Sequence, residues 1–570
     1  MRVFLAGVVI GGLLGGLVGG AGTVYILAKH QHFASRIEGL FGGGGNSYAI
    51  APGSLGDVVV EVDATSAGRP ISKYIYGVAS ADGQTLIALG ATVDRWGGNP
   101  SSSYNWVNGH SWNAGRDWGF RNVNYGNPGG RVADGFIAEA IAAGAVPLIT
   151  IPSIGYVAKN DQNETQSVDV PAQGGPPLFP GSQAIAGYDP SRNQRLTSVP
   201  SFAVKSGPFD TNPSSGAAAV YQDEWVHEMV SRFGAAPHGV GYFAIDNEPD
   251  LWSEEHTDVH PTRLGYADML AMYEQYAKAV KAQDPTALLL GPDVSGWTGY
   301  FYSALDRGTD NFATHADRNA HGGTPFLPWW LGQVAQQDRQ RGARSLDLVD
   351  VHYYPQAQGV FSDASDAATQ ALRIRSVRSL WDPNYVDESW ISDRVQLIPR
   401  LQQWIAQEYP GTGVAISEYN FGGEKDASGA VALAEALGIF GREGVRLATY
   451  WTHPDPITPA GAAFRMYRNY DGHGGTFGDI SLPGRSSANG LTVFAAKHSG
   501  GSETDVMLIN ESPDQVAKVH LDLGLSSKLT VTQYLVQQGS AAIVATPLDG
   551  LSAPVQVPPY SVSLVKVVAG

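Results

Sequence analysis

The segment GYFAIDNEPDLW (residues 241–252) joins an apolar run to two acids, an amide and a proline. Tyr242 to Ile245 is typical of a buried strand. Pro249 has no backbone N–H and cannot extend a ladder of hydrogen bonds, so the strand must end before it. Its end therefore presents Asp246, Asn247 and Glu248. Because acids are rarely buried without partners, three polar groups at one strand end indicate a site.

Seven further apolar runs have the same character, at residues 74–80, 91–98, 145–153, 287–293, 346–354, 414–420 and 447–451. Helical patterns separate most of them, at residues 132–144, 219–234, 266–283, 393–409 and 428–444. Apolar strands that alternate with helices indicate a parallel sheet. Eight such units predict an α/β fold, a closed (β/α)8 TIM barrel over residues 71–484. An open doubly wound sheet is the alternative, but no glycine-rich phosphate turn follows the first strand.

The pattern changes at residue 485. From there to residue 570 the chain carries short strands of period two with no helical stretch, which predicts an antiparallel β-sandwich domain. Residues 58–70 begin with a similar strand, and we expect it to join that sandwich. Residues 154–218 are rich in Gly, Pro, Ser, Asn and Asp. A loop of this length is either functional or a mobile insertion, and both interpretations stay open.

The N-terminal residues 1–30 predict a transmembrane anchor or a signal peptide. Residues 3–28 contain no charge, and as a helix they would span about 39 Å, more than the ~30 Å hydrocarbon core of a bilayer. A cleaved signal peptide is the alternative, with residues 20–22 as the cleavage site. Residues 31–57 are expected to form a flexible linker. Either interpretation places the folded part outside the cytoplasm, anchored to the membrane or secreted.

Composition excludes several classes of function. The formal net charge of −17 argues against nucleic acid and anionic membrane surfaces as partners, and it disfavours polyanionic substrates. The chain has no cysteine, which excludes disulfides, thiolate metal sites and cysteine nucleophiles. Its 13 tryptophans and 25 tyrosines suit a core, and they also suit stacking on sugar rings.

Two glutamates end strands on opposite sides of the predicted ring. Glu248 follows the fourth strand and Glu418 ends the seventh, and TIM barrels carry their catalytic groups at these carboxyl ends. Opposed carboxyl groups suit cleavage of a glycosidic bond: one donates a proton to the leaving oxygen and the other attacks the anomeric carbon. The charge of the second raises the pKa of the first. A separation of about 5–5.5 Å gives retention of configuration.

Other polar strand-end residues surround this pair: Arg95, Asn99, Asp246, Asn247, Asp293, His352, Tyr353 and Trp451. Asn247 is placed to hydrogen-bond a sugar hydroxyl beside the reacting carbon. Asp246 is expected to be a structural acid that bonds to backbone or to a basic neighbour.

Nine motifs, in order along the chain, resemble glycoside hydrolase family 44. They are YIYGVA (74–79), RWGGNPSSSYNW (95–106), NAGRDW (113–118), YQDEWV (221–226), FAIDNEPDLW (243–252), VHYYPQ (351–356), WDPNYVDESW (381–390), AISEYNFGGE (415–424) and LGIFGREGVRLATYW (437–451). The family comprises endo-β-1,4-glucanases and xyloglucanases of the retaining (β/α)8 clan A. Its fold is a barrel with a β-sandwich built from both chain ends, in agreement with the patterns above.

The resemblance implies roles for individual residues. Glu248 matches the acid/base and Glu418 the nucleophile, with Arg95 steadying Glu418 electrostatically and Tyr353 donating a hydrogen bond to it. The candidate sugar platforms, each of which could instead belong to the core, are Trp106, Trp118, Trp381, Trp390 and Trp451. No cofactor is expected beyond a structural calcium ion, whose ligands the sequence does not identify.

The sequence thus predicts a monomeric endo-β-1,4-glucanase that acts on soluble β-glucans of the cellulose or xyloglucan type. A xylanase, a mannanase or an oligosaccharide-trimming hydrolase on the same barrel is the first alternative. The second alternative is a membrane-tethered protein that binds glycans without cleaving them. The paired acids argue against this alternative, because a binding site does not need them.

Overall fold

The computed structural model describes most of the chain beyond the predicted N-terminal segment. The described residues are 55–111, 123–124, 132–160, 198–256, 259–308, 310–525 and 528–570. The predicted anchor or signal segment and all but the last residues of the predicted linker lie outside them. Within the described part of the chain, no helix has the length and apolar character needed to span a bilayer.

Eight parallel strands close into a barrel, as predicted from the eight apolar runs. In chain order they are Gly77–Ala79, Val93–Trp96, Val146–Ile151, Tyr242–Ile245, Leu288–Val294, Leu348–Tyr353, Gly413–Tyr419 and Leu447–Tyr450, which we number one to eight. The eighth strand pairs with the first, where Thr449 lies opposite Gly77. The prediction of a (β/α)8 barrel is therefore confirmed.

A layer of apolar side chains lies below the carboxyl ends of the barrel strands. It consists of Val93, Leu148, Tyr242, Ala244, Leu290, Leu348, Ala415 and Leu447, all buried. Side chains two apart on a strand point to the same face, so Arg95 stands directly above Val93. The site at the barrel mouth therefore lies on a packed apolar layer and not on an open channel.

The helices lie between and after the strands. They are Gly83–Leu89, Val132–Ala142, Gln222–Phe233, Trp252–Glu255, Tyr266–Gln283, Trp297–Phe301, Ala304–Arg307, Ala316–Ala320, Phe326–Arg341, Ala367–Ser376, Leu397–Glu408, Ala427–Glu443 and Pro459–Arg468. Several begin at a residue whose side chain accepts from a backbone N–H of the first turn, which satisfies a donor that the helix itself leaves free. Asp82, Asp366, Asp426 and Thr458 act in this way.

Two sheets form the sandwich. The smaller has the order Gly484–Ser486, Asp57–Val62, Ala517–Asp522 and Val555–Val557, and the larger has the order Arg69–Pro70, Ile480–Leu482, Leu491–Lys497, Glu503–Asn510, Ser561–Ala569, Leu529–Val536 and Ile543–Leu548. Valines and leucines of both sheets share one core. The sandwich was predicted to be antiparallel, but one pair differs. Strand Asp57–Val62 runs parallel to Ala517–Asp522. This strand enters from the other end of the chain, so no hairpin dictates its direction.

Two small sheets are not hydrogen-bonded to the barrel or the sandwich sheets, although their apolar side chains share the barrel's outer core. One contains Tyr104–Asn105, His110–Ser111 and Val123–Asn124, and the other contains Tyr156–Ala158, Ser198–Phe202 and Val220–Tyr221. The second sheet is built largely from the predicted loop 154–218, whose residues 161–197 lie outside the described part of the chain.

The helix Ala427–Glu443 joins the two larger units. It follows barrel strand seven, and its residues 427–441 are all buried. It contacts the sandwich strands Leu491–Lys497, Glu503–Asn510 and Ser561–Ala569. At Gly438 the helix approaches so closely that an added Cβ would lie 2.3 Å from Cδ2 of Phe494. The sandwich thus packs on the helix that follows the strand of Glu418.

Candidate active site

The two predicted carboxyl groups meet at the mouth of the barrel. One carboxylate oxygen of Glu248 and one of Glu418 lie within 4.8 Å of each other, and a ring nitrogen of His352 lies within the same distance of both. Glu418 is buried, and the side chain of Glu248 is 15% exposed. The acids of strands four and seven are therefore close enough to act on one bond.

The backbone at Glu248 explains why a proline follows it. The N–H of Glu248 donates to the carbonyl oxygen of Asp293 at 3.0 Å, and the residue has left-handed dihedral angles (φ 45°, ψ 54°). Pro249 then opens a short 3-10 turn, closed by the N–H of Leu251 donating to the Glu248 carbonyl at 2.8 Å. Left-handed backbone is costly for a residue with a side chain. The proline and the turn hold this conformation, and with it the direction of Glu248.

Arg95 connects the second strand to three others. Its Nη1 lies 2.6 Å from Oε1 of Glu418, and its Nη2 donates to Oδ1 of Asn247 at 3.0 Å and lies 3.6 Å from Asp293. Burial disfavours the charge, but Glu418 and then Asp293 outweigh it and raise the pKa of the guanidinium. The predicted contact between Arg95 and Glu418 is present, and it ties the ionised form of Glu418 to a fixed cation.

The tyrosine that contacts Glu418 is Tyr354, and not Tyr353 as expected. The Tyr354 hydroxyl donates to Oε2 of Glu418 at 2.7 Å. Tyr353 is buried on the other side of the strand, where its ring lies 6.0 Å from that of Phe421. Successive strand residues point to opposite faces. Because His352 points to the mouth, the period-two pattern would have selected Tyr354.

Asn247 and Asp246 hold the strand-four terminus in place. Oδ1 of Asn247 accepts from Arg95 and from the Gly98 N–H at 3.2 Å, so the amide orientation is set. Asp246 is buried and accepts from the hydroxyls of Ser102 at 2.5 Å and Ser153 at 2.9 Å. Burial raises the pKa of Asp246 to about 6, against these hydrogen bonds. Among the described residues its hydrogen-bond partners are hydroxyl and backbone groups.

The electrostatics separate the two glutamates. Burial raises the pKa of Glu248 to about 7, the hydrogen bond with His352 at 2.8 Å acts in the opposite direction, and the charge of Glu418 adds to the rise. Glu418 instead receives a guanidinium and a phenol on its two oxygens. Glu248 can therefore hold a proton near neutral pH while Glu418 stays ionised, which is the division of roles that acid-assisted displacement requires.

Comparison with known proteins agrees with this geometry. The model of glycoside hydrolase family 44 matches residues 111–357. Endoglucanase A of Paenibacillus lautus is 34% identical over 486 residues, which cover 80% of this chain and 64% of that protein. The structure of CelM2, a bifunctional glucanase-xylanase from a metagenome library, is 35% identical, with a TM-score of 0.79 over 90% of this chain and 100% of that one. The chain belongs to glycoside hydrolase family 44.

A further family 44 structure carries a substrate. The Paenibacillus polymyxa xyloglucanase solved with xyloglucan is 28% identical and has a TM-score of 0.78, over 90% of this chain and 100% of that chain. The chain spans 64% of the length of the curated P. lautus relative.

The five candidate tryptophans of this family 44 chain occupy different environments. Trp106 is fully buried and donates through Nε1 to the Tyr221 carbonyl at 3.2 Å, so it belongs to the core. Trp381 packs on the barrel core, with the guanidinium of Arg442 4.3 Å from the centre of its ring. Trp106 is thus enclosed by the core, whereas Trp381 is half-buried and stays a candidate platform.

Trp390 and Trp451 are the two that reach the mouth, and Trp118 lies outside the described residues. Trp451 is half-buried, and the Arg95 guanidinium lies 5.9 Å from its ring centre. Trp390 is also half-buried, and its Nε1 donates to Gln356 at 3.2 Å. Both can offer a ring face beside the catalytic pair.

A cavity of about 220 Å³ opens beside Glu248. Aromatic and amide side chains line it, among them Trp297, Tyr302, Gln356 and Trp390. Only Trp390 was predicted. No sequence pattern singled out Trp297 and Tyr302, which lie in and after a short helix between strands five and six. Their proximity to Glu248 depends on the path of that connection, which no local pattern encodes.

The predicted calcium ion finds no oxygen-rich cage in the described part of the chain. Two groups bring three possible ligands together there: Glu248, His352 and Glu418, and separately His498, Glu503 and Asp505. Arg95 already supplies a cation to the first group, and Lys566 Nζ lies 2.6 Å from Glu503 in the second. Calcium takes about six to eight oxygen ligands. A structural calcium therefore stays a prediction.

Proposed function

We propose that this family 44 chain is a retaining endo-β-1,4-glucanase that cleaves internal bonds of soluble glucans by double displacement. The observation that carries the proposal is that a carboxylate oxygen of Glu248 lies within 4.8 Å of a carboxylate oxygen of Glu418. Retaining enzymes hold the two carboxyl groups about 5–5.5 Å apart, whereas inverting enzymes need about 6.5–9.5 Å to fit a water molecule. The separation thus favours direct attack by a carboxylate.

In the first step Glu418 is the nucleophile and Glu248 the acid. A Glu418 oxygen forms a bond to the anomeric carbon while the bond from that carbon to the glycosidic oxygen breaks. The leaving oxygen takes the proton of Glu248, so no alkoxide is released. Arg95 and Tyr354 fix the two Glu418 oxygens through contacts of 2.6 and 2.7 Å, which orients the nucleophile before the substrate arrives.

In the second step Glu248 is the base. Glycosylation removes the charge of Glu418, and with it one cause of the raised pKa of Glu248. Glu248, now ionised, takes a proton from water as the water oxygen bonds to the anomeric carbon and the bond to Glu418 breaks. Both glutamates return to their starting charge, and two inversions give net retention.

The substrate proposal rests on the relatives and on the cavity. The P. polymyxa structure contains xyloglucan, and the aromatic lining beside Glu248 suits the flat faces of glucose units. Xylan is the second candidate, because CelM2 is described as a bifunctional glucanase-xylanase.

The test is hydrolysis by the full-length protein of carboxymethylcellulose, xyloglucan and xylan, with release of reducing ends as the readout. We expect the two glucans to be cleaved and Glu418→Ala to be inactive but folded. Proton NMR of the first product should show the β-anomer. An α-anomer first would contradict retention, and full activity of Glu418→Ala would contradict the nucleophile. Binding of glucan without cleavage by the parent would favour a glycan-binding protein.

We further propose that the protein works outside the cytoplasm as a monomer, held by residues 3–28 or released after their cleavage. The support is the uncharged length of this segment. Fractionation of cells that express the full chain separates the two arrangements, because an anchored enzyme stays with the membranes at high salt and a cleaved one appears in the medium. Activity only in the cytosol would contradict both.

A further inference from the structure

His352 lies between the two catalytic carboxyl groups. Its Nδ1 is 2.8 Å from Oε1 of Glu248 and 3.4 Å from Oε2 of Glu418, and its side chain is fully buried. A buried ring in this position acts on both glutamates at once. What it does depends on whether the ring is charged and on which nitrogen carries the proton.

The opposite edge of the ring faces Asp293, an acid at the end of strand five. Nε2 of His352 is 2.5 Å from Oδ1 of Asp293, and both side chains are fully buried. Two lone pairs at this distance would repel, so a proton lies between them. The pKa of Asp293 is below its ordinary value because of His352 and Arg95, despite burial, which places that proton on Nε2. We propose that Asp293 is a positioning residue: through His352 it holds a positively charged imidazole against Glu248 and Glu418. The inference rests on the proposed function of the two glutamates.

The charges around the ring favour this state. Among the described residues, the groups that face or surround His352 are Glu248, Asp250, Asp293, Asp350, Tyr354, Glu418 and the cation Arg95, whose Nη2 is 3.5 Å from Nε2. Burial opposes charge on the ring, but Glu418 and then Asp293 hold the pKa of His352 well above its ordinary value. Burial would likewise raise the pKa of Asp293, yet His352 and Arg95 lower it.

The backbone of Asp293 supports a dedicated role. Its φ is +57°, a left-handed conformation that a residue with a side chain adopts only at a cost. The carbonyl oxygen of the same residue accepts the N–H of Glu248 at 3.0 Å. Asp293 therefore holds Glu248 twice, through its backbone directly and through its side chain by way of His352.

The charged ring serves both steps without changing its own proton count. When Glu248 has given its proton to the leaving oxygen, the Nδ1–H of His352 donates to the carboxylate that remains. When Glu248 takes a proton from water, the same N–H donates to the neutral carboxyl. The cation also lies 3.4 Å from Oε2 of Glu418, where it stabilises negative charge on the nucleophile.

The test is the pH profile of kcat/KM for Asp293→Asn in the full-length protein on xyloglucan or carboxymethylcellulose. Loss of the aspartate charge lets His352 become neutral. Because His352 is closer to the glutamates than Asp293 is, loss of the ring's charge outweighs loss of the acid's charge. We expect both limbs of the profile to move to higher pH by about one unit, and kcat/KM at the parent optimum to fall about tenfold.

The direction of the movement separates the explanations. If His352 kept its charge in Asp293→Asn, only a negative charge would be lost, and both limbs would move to lower pH. That result, or an unmoved profile, overturns the proposal. The matched control is Asp350→Asn, a fully buried acid on the same strand as His352 whose Oδ1 accepts from the Ser417 N–H at 3.0 Å. Its profile should not move to higher pH.

A second measurement does not depend on activity. In protein labelled with 15N-histidine, the ring of His352, assigned by difference from His352→Gln, should show both nitrogens protonated at pH 7. A neutral ring in the parent overturns the proposal. If the parent cleaves no glucan, the proposed function fails, and the charge of His352 still decides the present inference.

Discussion

Two pairs of glutamates in the described part of the chain have different partners. At the barrel mouth, Arg95 and His352 stand against Glu248 and Glu418. At the interface with the sandwich, Glu435 of helix Ala427–Glu443 neighbours Glu511, whose charge adds to burial in raising the pKa of Glu435. The Thr492 hydroxyl also donates to Glu511 at 2.6 Å. Burial is the first cause of a raised pKa in Glu248, Glu435 and Glu511 alike.

The two pairs differ in whether a carboxyl proton can be released and taken up again. Two carboxyl groups in direct contact share one proton, and burial keeps it there. At the mouth, fixed cations hold one carboxylate ionised and leave the other free to take up or release its proton. A pair that performs chemistry therefore needs a cation, whereas a pair that joins two parts of a fold needs only a shared proton. Four predictions test this contrast.

The largest effect is expected from replacing one carboxyl by an amide in each pair. Glu248→Gln removes the proton donor and should lower kcat/KM on polysaccharide about 10³-fold, within the range for general acid catalysis. Glu435→Gln is the same chemical change at the interface and should leave kcat/KM unchanged.

Substrate choice provides the control for this prediction. An aryl cellobioside with a good leaving group needs little acid assistance, so Glu248→Gln should lose much less activity in its first step, measured as the burst of phenol. A similar loss on both substrates would mean that the variant damages the site in general, and would contradict the assignment of Glu248 as the acid.

The next effect separates the two neighbouring tyrosines at the end of strand six, Tyr353 within it and Tyr354 just after it. Tyr354→Phe removes a hydrogen bond to the ionised Glu418, worth about 1.5–3 kcal/mol, and should lower kcat/KM about 10- to 100-fold. Tyr353→Phe removes a hydroxyl on the opposite face and should leave kcat/KM unchanged. Steady-state kinetics on xyloglucan measures both. Equal losses would contradict the contact between Tyr354 and Glu418.

The same two tyrosines show how far the sequence alone could lead. Apolar runs and helical spacing were sufficient to predict the barrel, because both follow from burial on the two faces of a parallel sheet. Choosing Tyr354 required the phase of strand six. Counting every second residue from His352 gives that phase. However, the register between strands six and seven shifts between Asp350 and His352, and no local sequence pattern predicts such a shift.

Other misses have equally physical causes. The helix Phe326–Arg341 escaped prediction because Pro325 and Pro328 suggest a loop. Pro328 in fact lies in the first turn, where its missing N–H costs nothing. The tryptophans could not be sorted because a ring suits a core and a sugar equally well. Trp106 and Trp390 differ in exposure alone, and exposure is a property of the folded chain.

Two glycines test how tightly the interface is packed. At Gly438 an added Cβ would lie 2.3 Å from the ring of the buried Phe494, and overpacking of this kind costs about 1–3 kcal/mol. The gain in helix propensity is about 1 kcal/mol at most. Gly438→Ala should therefore lower the melting temperature without changing the pH profile of activity.

The matched control for Gly438→Ala is Gly135→Ala. Gly135 lies in helix Val132–Ala142 and is exposed, and an added Cβ there meets nothing within 4 Å. The propensity gain of about 0.5–1 kcal/mol should then raise the melting temperature slightly. If both variants were stabilised, the helix and the sandwich would have room to separate, and the close contact at Gly438 would be wrong.

The smallest effect concerns how the interface pair responds to pH. The pKa of Glu435 is well above its ordinary value of 4.5 in the folded chain, so folded protein keeps a proton that the unfolded chain releases above that pH. Its contribution to stability therefore falls as pH rises from about 4.5 towards the folded pKa, by up to about 1.4 kcal/mol per pH unit.

Glu435→Gln keeps a hydrogen-bond donor for Glu511 and has no proton to lose. Its melting temperature relative to the parent should thus rise between pH 5 and pH 8, measured by thermal unfolding. A constant difference would mean that Glu435 and Glu511 do not share a proton, and the contrast with the catalytic pair would then have to rest on the cations alone.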